Sequence, residues 1–307
     1  MKQALRWVFL VVATALLAWA LVSTWDDVTA AWRSLTWGAI AGAFALTLVA
    51  LVLAALAWRE VMRAVGLDAT VPEALRVFLL SQIGKYVPGS VWPVIAQAEF
   101  ARDHGVSRAR AMTGSLVAMV VGAVTAAIVG TVGLIISVPG ALAEYWWVIV
   151  VAVGLAACLV PAVLVRIVGV AFRVTRRTEQ PVRIGARPLL AAVGLNVVQW
   201  LVLGAHAWLL LRELAPGTDL ILATGAFAFA WLVGFVVVIA PAGAGAREAA
   251  LVLALQTVAT QGAALSLALI SRFLMTLADV TGLGVGLVIG AVRRRNRSDH
   301  NVDVTDM

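Results

Sequence analysis

Long uncharged stretches recur along this chain, and about 18 or more consecutive apolar residues can cross a lipid bilayer as a helix. Charged residues make up only 13% of the sequence, compared with about 25% in a typical soluble domain. Lipid offers no hydrogen bonds, so a crossing segment must satisfy its own backbone as an α-helix. We predict an all-α, polytopic membrane helix bundle without a soluble domain, with full spans at about 5–22, 38–58, 111–138, 145–165, 189–211 and 263–292.

Two further apolar segments, at about 75–98 and 220–255, are interrupted by proline and glycine. They contain the runs Lys85-Tyr86-Val-Pro88-Gly89-Ser and Pro241-Ala-Gly243-Ala-Gly245-Ala-Arg247-Glu248. Such breaks at corresponding places in two halves of a chain point to a transporter binding site. The breaks lie about half the chain length apart, so we predict an inverted repeat whose halves are about 1–143 and 144–292.

Positive charges decide the predicted orientation. With the N-terminus in the cytoplasm, 18 lysines and arginines fall on inward-facing segments, and only Arg33 and Arg212 fall on outward loops. This positive-inside bias places both termini in the cytoplasm. The chain then has six full spans plus two re-entrant hairpins, or eight spans if both broken segments cross. A signal peptide is an alternative for the first span. Residues 1–292 form one transmembrane domain, and 293–307 form a basic, then polar, cytoplasmic tail.

Charged residues inside apolar segments are costly in lipid and usually face a polar interior. The candidates are Lys85, Arg247, Glu248, Arg272 and Asp279. Arg272 and Asp279 are seven residues apart, hence on one helix face but roughly 10 Å apart and too distant to pair. We therefore predict that Arg272 pairs with Glu248. This pair either holds the second broken segment in place or lines a substrate path.

Polar side chains form a second stripe on the fifth predicted span, at Asn196, Gln199 and His206. We expect this face to look into the bundle, with His206 more readily explained as a hydrogen-bonded interior residue than as a proton carrier. The chain has three histidines and one cysteine without a cluster, so no metal site is predicted. No ATP-binding motif occurs, because Gly84-Lys85 is followed by tyrosine, and no cofactor is expected.

Other small and aromatic residues have simpler interpretations. Gly122, Ala126 and Gly130, like Gly282, Gly286 and Gly290, repeat every four residues and predict close helix packing. Seven tryptophans near span ends are assigned to the membrane interfaces: Trp7, Trp25, Trp32, Trp37, Trp58, Trp146 and Trp147. A half-helix after each break would aim its N-terminal amides inward, and with Lys85 or Arg247 nearby this predicts an anion site. A simple kink in a packed helix is the alternative.

The residues around both breaks resemble a known family. The run Ser81-Gln-Ile-Gly-Lys85-Tyr-Val-Pro88-Gly89-Ser-Val-Trp92, the acidic Glu99, the second break and Arg272 resemble the flippase-like family that includes the transmembrane region of lysylphosphatidylglycerol synthases and stand-alone bacterial and archaeal relatives. The resemblance implies a cytoplasmic-membrane protein that moves a lipid with a polar headgroup between leaflets. By position it makes candidate pathway residues of Lys85, Tyr86, Pro88, Gly89, Glu99, Gly243, Gly245, Glu248 and Arg272.

The expected function is therefore transport of an anionic, phosphate-bearing lipid, either of the phosphatidylglycerol type or a polyprenyl-phosphate-linked sugar. Only a short tail follows Val292, so we expect no aminoacyl-transferase activity and no other enzymatic step in this chain. The expected partners are anionic membrane lipids, not nucleic acid. One alternative is a non-transporting partner of a lipid or glycan biosynthesis enzyme. Another is a membrane-embedded transferase using loop carboxylates, for which the candidates are Asp26, Asp27, Glu144, Glu213 and Asp219.

Overall fold

The computed structural model of the chain describes residues 25–86, 97, 108–137, 140–144, 146–174, 184–237 and 245–305. Every regular element in these ranges is helical, which confirms the predicted all-α fold. The first predicted span, at 5–22, lies outside the described residues. So do Pro88, Gly89, Glu99, Pro241 and Gly243, the residues at or near the two breaks.

Eleven α-helices and one 3-10 helix are described. They are α1 (Trp25–Ser34), α2 (Trp37–Ala64), α3 (Val71–Ser81), the 3-10 helix (Gln82–Tyr86), α4 (Arg108–Ser137), α5 (Ala141–Glu144), α6 (Trp147–Ala157), α7 (Pro161–Val174), α8 (Ala186–Leu214), α9 (Leu220–Val236), α10 (Ala246–Leu255) and α11 (Gln261–Thr305). Within the described ranges α2, α4, α8 and α11 are long and apolar enough to cross a membrane. These four helices confirm four of the predicted spans.

The predicted continuous span at 145–165 is wrong. Residues Ile149–Ala157 and Pro161–Ile167 form two helices that meet at an angle of 82°. Before the bend the backbone tightens, because the amide of Cys158 bonds to the carbonyl of Leu155 at 3.0 Å, a 3-10 pattern. Pro161 then has no N–H to continue the helix, and it begins the next one instead. The pair counts as one span only if the bend is included, so the described residues hold four or five spans.

Small residues bring the helices of the core together. On α4, Gly130 lies against the backbone of Phe229, and on α11 Gly282 and Gly286 lie against Leu79 and Leu80 of α3. The close helix packing predicted for these small-residue faces is thereby confirmed at Gly130, Gly282 and Gly286. The core itself lies between α2, α4, α8, α9, α10 and α11, and its largest wholly buried side chains include Phe227, Leu210, Leu211, Leu251, Leu255 and Leu267.

The beginning of α3 is fastened to the far end of the last span. The Glu73 carboxylate accepts hydrogen bonds from the backbone amide of Thr70 at 2.9 Å and from its hydroxyl at 2.7 Å. Arg293 of α11 pairs with the same carboxylate and also donates to the Thr70 hydroxyl at 2.9 Å. α3 and the 3-10 helix that follows it are therefore held against α11 at this end as well as by the glycine face.

The contact around Glu73 gives a prediction for acid pH. Burial raises the pKa of Glu73, but hydrogen bonds from Arg293 and Thr70 outweigh burial and lower this pKa from 4.5 to about 2. A carboxyl whose pKa falls on folding stabilises the protein above its unfolded pKa, and this stabilisation is lost as the pH drops through the folded value. We expect the loss between about pH 4.5 and pH 2, and a cost of at most about 1 kcal/mol for Glu73→Gln at neutral pH.

Thermal unfolding of the detergent-purified protein from neutral pH to about pH 3 would measure this contribution. Glu73→Gln should unfold at a lower temperature at neutral pH, and its difference from the wild type should shrink as the pH falls. Arg293→Gln should show the same convergence, since it removes the other partner. A difference that stays constant with pH would contradict the assignment.

Candidate functional site

A cavity of about 360 Å³ lies where α2, α4, α8, α9 and α11 meet the ends of both broken segments. Five residues predicted from the sequence line it: Lys85, Asn196, Gln199, Arg247 and Asp279. The cavity also has neutral polar and aromatic lining residues, namely Thr47, Gln82, Gln97, Ser115, Trp58, Phe78, Trp200, Trp231 and Phe235. The structure therefore brings part of the first break, part of the second and the polar stripe of α8 around one space.

Lys85 and Asp279 form an ion pair at this cavity. Lys85 lies on the 3-10 helix just before the first break, and its ammonium is 2.7 Å from a carboxylate oxygen of Asp279 on α11. The Asp279 side chain is 3% exposed, whereas that of Lys85 is 36% exposed. Asp279 therefore lies in the protein interior, whereas Lys85 is the more accessible member of the pair. Sequence reasoning singled out both residues but did not pair them.

Arg272 and Glu248 form a second ion pair, and this pairing was predicted. An Arg272 guanidinium nitrogen lies 2.6 Å from one carboxylate oxygen of Glu248, whose side chain is 3% exposed. The other oxygen accepts the backbone N–H of Gly245 at 2.6 Å. Gly245 has a φ of 84°, a left-handed conformation that glycine adopts without strain. This turn lets Glu248, in the first turn of α10, fold back and cap its own helix.

The cap uses one amide at the N-terminus of α10, because the carboxylate of Glu248 accepts the Gly245 N–H. The anion site expected at this N-terminus stays a prediction. Neither Glu248 nor Arg272 lines the cavity. The half-helix expected after the first break falls outside the described residues, so the corresponding prediction for that break stays a prediction.

The last helix connects both broken segments. Its Arg272 holds α10, which follows the second break, and its Asp279 holds the 3-10 helix, which precedes the first. The two positions lie on one face of α11, roughly 10 Å apart along its axis. Movement of either broken segment relative to α11 therefore requires an ion pair to open.

Arg247 is the second cation that lines the cavity. One guanidinium nitrogen contacts the Met275 sulfur at 3.3 Å, and the guanidinium carbon lies 4.8 Å from the centre of the Phe227 ring. A guanidinium over an aromatic face is a cation–π contact. Arg247 therefore places a guanidinium group beside the cavity.

The polar stripe of α8 divides between two environments. Asn196 and Gln199 line the cavity. His206 does not line it and is completely buried between helices. Its Nδ1 lies 2.9 Å from the carbonyl oxygen of Ala43, and its Nε2 lies 2.9 Å from the hydroxyl of Ser271. Since a carbonyl only accepts, Nδ1 carries a proton and donates it to the Ala43 oxygen. His206 thus joins α8, α2 and α11 in the manner of an interior histidine.

The prediction that Trp58 lies at the membrane interface is wrong. We assigned it to the membrane interface, but it is 5% exposed and lines the cavity, where its indole N–H donates to the hydroxyl of Ser115 at 3.5 Å. Its ring packs against Phe78 with centroids 6.2 Å apart. Gln82 was also missed. It precedes Lys85 by three residues and so shares its side of the 3-10 helix, which was a readable signal.

Two of the loop carboxylates proposed for a transferase have structural contacts. Glu213 accepts the backbone amide and the hydroxyl of Thr36, at 2.7 and 2.8 Å. Asp219 caps α9 by accepting the Leu222 amide at 2.7 Å. Among the described residues no group of three or more histidine, cysteine, aspartate or glutamate side chains could hold a metal ion.

The chain matches one known protein family over most of its length. Residues 6–282 match the family model described as the lysylphosphatidylglycerol synthase TM region. No curated protein matches the chain at the level required for significance. The matched range includes both breaks, the cavity and most of the last span. This 307-residue multipass membrane protein therefore belongs to the lysylphosphatidylglycerol synthase transmembrane-region family.

Proposed function

We propose that the protein is a flippase-like transporter that moves an anionic, phosphate-bearing lipid between the two leaflets of the membrane. The observation that carries this proposal is the cavity in which Lys85 and Arg247, one from each broken segment, lie among helices from both halves of the chain. The lipid would cross chemically unchanged, so the proposal assigns no catalytic residue.

The charge of the cavity supports an anionic headgroup. Its described lining side chains include two cations, Lys85 and Arg247, and one anion, Asp279. Ammonium and guanidinium groups form charge-assisted hydrogen bonds with phosphate oxygens, and these are roughly twice as strong as hydrogen bonds between neutral groups. The amides of Asn196 and Gln199 offer both donors and acceptors for the neutral part of a headgroup.

The size of the cavity supports a headgroup without its lipid tails. A volume of about 360 Å³ lies at the lower end of the range of roughly 300–1,000 Å³ for small-molecule sites. Two acyl chains or a polyprenyl chain would not fit beside the headgroup. We propose that these tails stay in the bilayer while the headgroup passes through the protein. Phosphatidylglycerol-type lipids and polyprenyl-phosphate sugars both satisfy this description.

The broken segments are the proposed moving parts. α3 and α10 have 11 and 10 residues, and at 1.5 Å per residue neither can cross a hydrocarbon core of about 30 Å. α9 packs directly against α10, with the second break between them. These lengths support re-entrant hairpins in an inverted repeat. We retain that arrangement, with both termini in the cytoplasm, as part of the proposal.

A leaflet-accessibility assay in proteoliposomes tests the proposal. Wild-type protein should accelerate exchange of either a fluorescent phosphatidylglycerol or a polyprenyl-phosphate sugar relative to protein-free vesicles. The triple variant Lys85→Gln, Arg247→Gln, Asp279→Asn makes these lining residues neutral without leaving Asp279 as an unpaired charge. It should lose at least tenfold in rate, because a hydrogen bond to a charged group contributes about 1.5–3 kcal/mol.

The matched control is Arg166→Gln, which removes an exposed arginine of α7 away from the cavity. It should keep the wild-type rate, and all variants should elute as the same single species. If no lipid moves faster than in protein-free vesicles, or if the triple variant is fully active, the transport proposal fails. The alternative of a membrane partner for a biosynthetic enzyme would then be favoured.

A further inference from the structure

Asp279 binds the same lysine, Lys85, that the proposed transport would use to bind the lipid phosphate. The Lys85 ammonium already binds an anion, because a carboxylate oxygen of Asp279 lies 2.7 Å away. Carboxylate and phosphate oxygens are the same kind of ligand for an ammonium, which binds either as a compact point charge. A lipid phosphate that approaches Lys85 therefore meets an ammonium that already donates to a carboxylate of the protein.

We infer that Asp279 competes with the lipid phosphate for Lys85, so that headgroup binding and the Lys85–Asp279 ion pair exclude one another. The inference rests on the proposed function and names the residue that regulates its binding site. In the resting protein the aspartate stands in for the phosphate. When a headgroup binds, the lysine exchanges one anion for the other.

The position of each partner supports exchange rather than a permanent link. Asp279 is 3% exposed on α11, while Lys85 is 36% exposed at the end of a flexible four-carbon side chain. The lysine can therefore swing into the cavity while the aspartate stays in place. Behind it, the glycine face of α11 holds the body of α3 through Gly282 and Gly286. An opened pair would release the 3-10 helix from α11 while α3 remains packed.

The Arg272–Glu248 pair is less suited to exchange with a headgroup than the Lys85–Asp279 pair. Glu248 divides its two oxygens between Arg272 and the amide of Gly245, so its carboxylate also caps α10. Opening that pair would disturb a helix end, and neither member lines the cavity. The pair of Lys85 and Asp279 borders the cavity directly. It is therefore the pair that a headgroup can reach.

Competition changes affinity in a direction that a structural ion pair would not. The apparent dissociation constant equals the intrinsic one divided by the fraction of protein whose site is open. If the pair is closed about nine-tenths of the time, removing the competitor should tighten binding about tenfold. Asp279→Asn should therefore bind an anionic lipid more tightly than the wild type does. A purely structural role would give unchanged or weaker binding.

The test is a set of dissociation constants for short-chain fluorescent phosphatidylglycerol and a fluorescent polyprenyl-phosphate sugar in detergent micelles. Asp279→Asn should bind whichever lipid the wild type binds about tenfold more tightly, and Lys85→Gln should bind it at least tenfold more weakly. The double variant should be as weak as Lys85→Gln, since without the ammonium the carboxylate has nothing to compete for. If Asp279→Asn binds no more tightly while Lys85→Gln loses affinity, the inference is overturned and the proposed function survives. If the wild type binds neither lipid, or Lys85→Gln binds as tightly as the wild type, the proposed function fails.

A second measurement avoids any change to Asp279. The chain contains only two lysines, Lys2 and Lys85, so Lys2→Arg leaves Lys85 as the only lysine. Methylation with carbon-13 keeps its charge and gives one side-chain NMR signal. That signal should move when the lipid identified as the ligand is titrated in, and should stay in place with uncharged diacylglycerol. A stationary signal in a sample that demonstrably binds the anionic lipid would overturn the inference even if Asp279→Asn fails to fold.

Discussion

Replacing Arg272 by methionine is expected to lower the free energy of unfolding by about 3–5 kcal/mol, because it strands a charge in the protein interior. The Glu248 side chain is 3% exposed, and one of its carboxylate oxygens is held by Arg272 at 2.6 Å. Methionine fills much of the space of the arginine stem but offers no positive charge. The carboxylate would stay buried with only the Gly245 amide left of these two contacts.

The paired variant Arg272→Met, Glu248→Gln should recover most of this loss. Glutamine has no charge to strand, and its side-chain oxygen can still accept the Gly245 amide and cap α10. A buried ion pair replaced as a whole is often nearly neutral in stability, whereas one broken on a single side is not. The stability of the double variant therefore distinguishes loss of a partner from loss of a contact surface.

The wild type, Arg272→Met, the paired variant and a control variant would be unfolded in mixed micelles. The loss of helical circular dichroism would give their differences in free energy of unfolding. The control is Arg212→Met on α8, whose exposed guanidinium lies 5.6 Å from the centre of the Trp208 ring. An exposed contact of this kind should cost no more than about 1 kcal/mol. A double variant as unstable as Arg272→Met alone would show that the stranded charge is not the cause.

The Arg272–Glu248 pair also shows how far sequence reasoning reaches in a membrane protein. The spacing of Arg272 and Asp279 on one helix excluded their direct contact, and the cost of charge in lipid required another partner for Arg272. Glu248 was the remaining acid beside a break, so the pair could be inferred without a structure. The long apolar helices were predictable for the same reason, since lipid imposes one simple rule on each span.

The Lys85–Asp279 pair was out of reach because it depends on tertiary packing. Its members come from opposite halves of the chain, and they meet because Gly282 and Gly286 let α11 approach α3 closely. The small residues were visible in the sequence, but the helix against which they pack was not. Trp58 was misassigned for a related reason, because an aromatic residue near a helix end fits an interface as well as an interior cavity.

The bend after α6 was hidden in a different way. Hydropathy is uniform through 145–165, so a window average recognises a span and gives no sign of a break. Pro161 was the local signal, and proline inside an apolar run marks a helix start or a kink. The structure shows a sharp bend with an 82° angle between the flanking helices. Composition indicated that this segment lies in the membrane, but only Pro161 indicated where its helix breaks.

The backbone crossing of α4 and α9 provides the second large expected effect. A methyl group added at Gly225 would lie 2.6 Å from the backbone nitrogen of Leu134 and 2.7 Å from the carbonyl carbon of Gly133. Both neighbours are backbone atoms, so no side chain can rotate away. We expect Gly225→Ala to lower the free energy of unfolding by about 3 kcal/mol, the upper range for overpacking a core.

The same substitution at Gly194 should have the opposite sign. Gly194 is exposed on α8, and no atom lies within 4 Å of the position where its added methyl would stand. Alanine in a helix is favoured over glycine by up to about 1 kcal/mol, so Gly194→Ala should leave stability unchanged or raise it. Unfolding of the two variants side by side in the same detergent would measure a difference of about 3–4 kcal/mol. Equal stabilities would mean that α4 and α9 do not cross at this glycine pair.

The crossing should also affect the proposed lipid transport, because the same two helices form walls of the cavity. Ser115 and Gly122 of α4 line it, as do Trp231 and Gly234 of α9. To admit the methyl of Gly225→Ala, α9 must move away from α4, and this displaces Trp231 relative to the cations of the broken segments. We therefore expect the folded fraction of Gly225→Ala to exchange lipid more slowly than wild type, whereas Gly194→Ala keeps the full rate. A folded Gly225→Ala protein with unchanged exchange would show that the position of α9 does not limit passage of the headgroup.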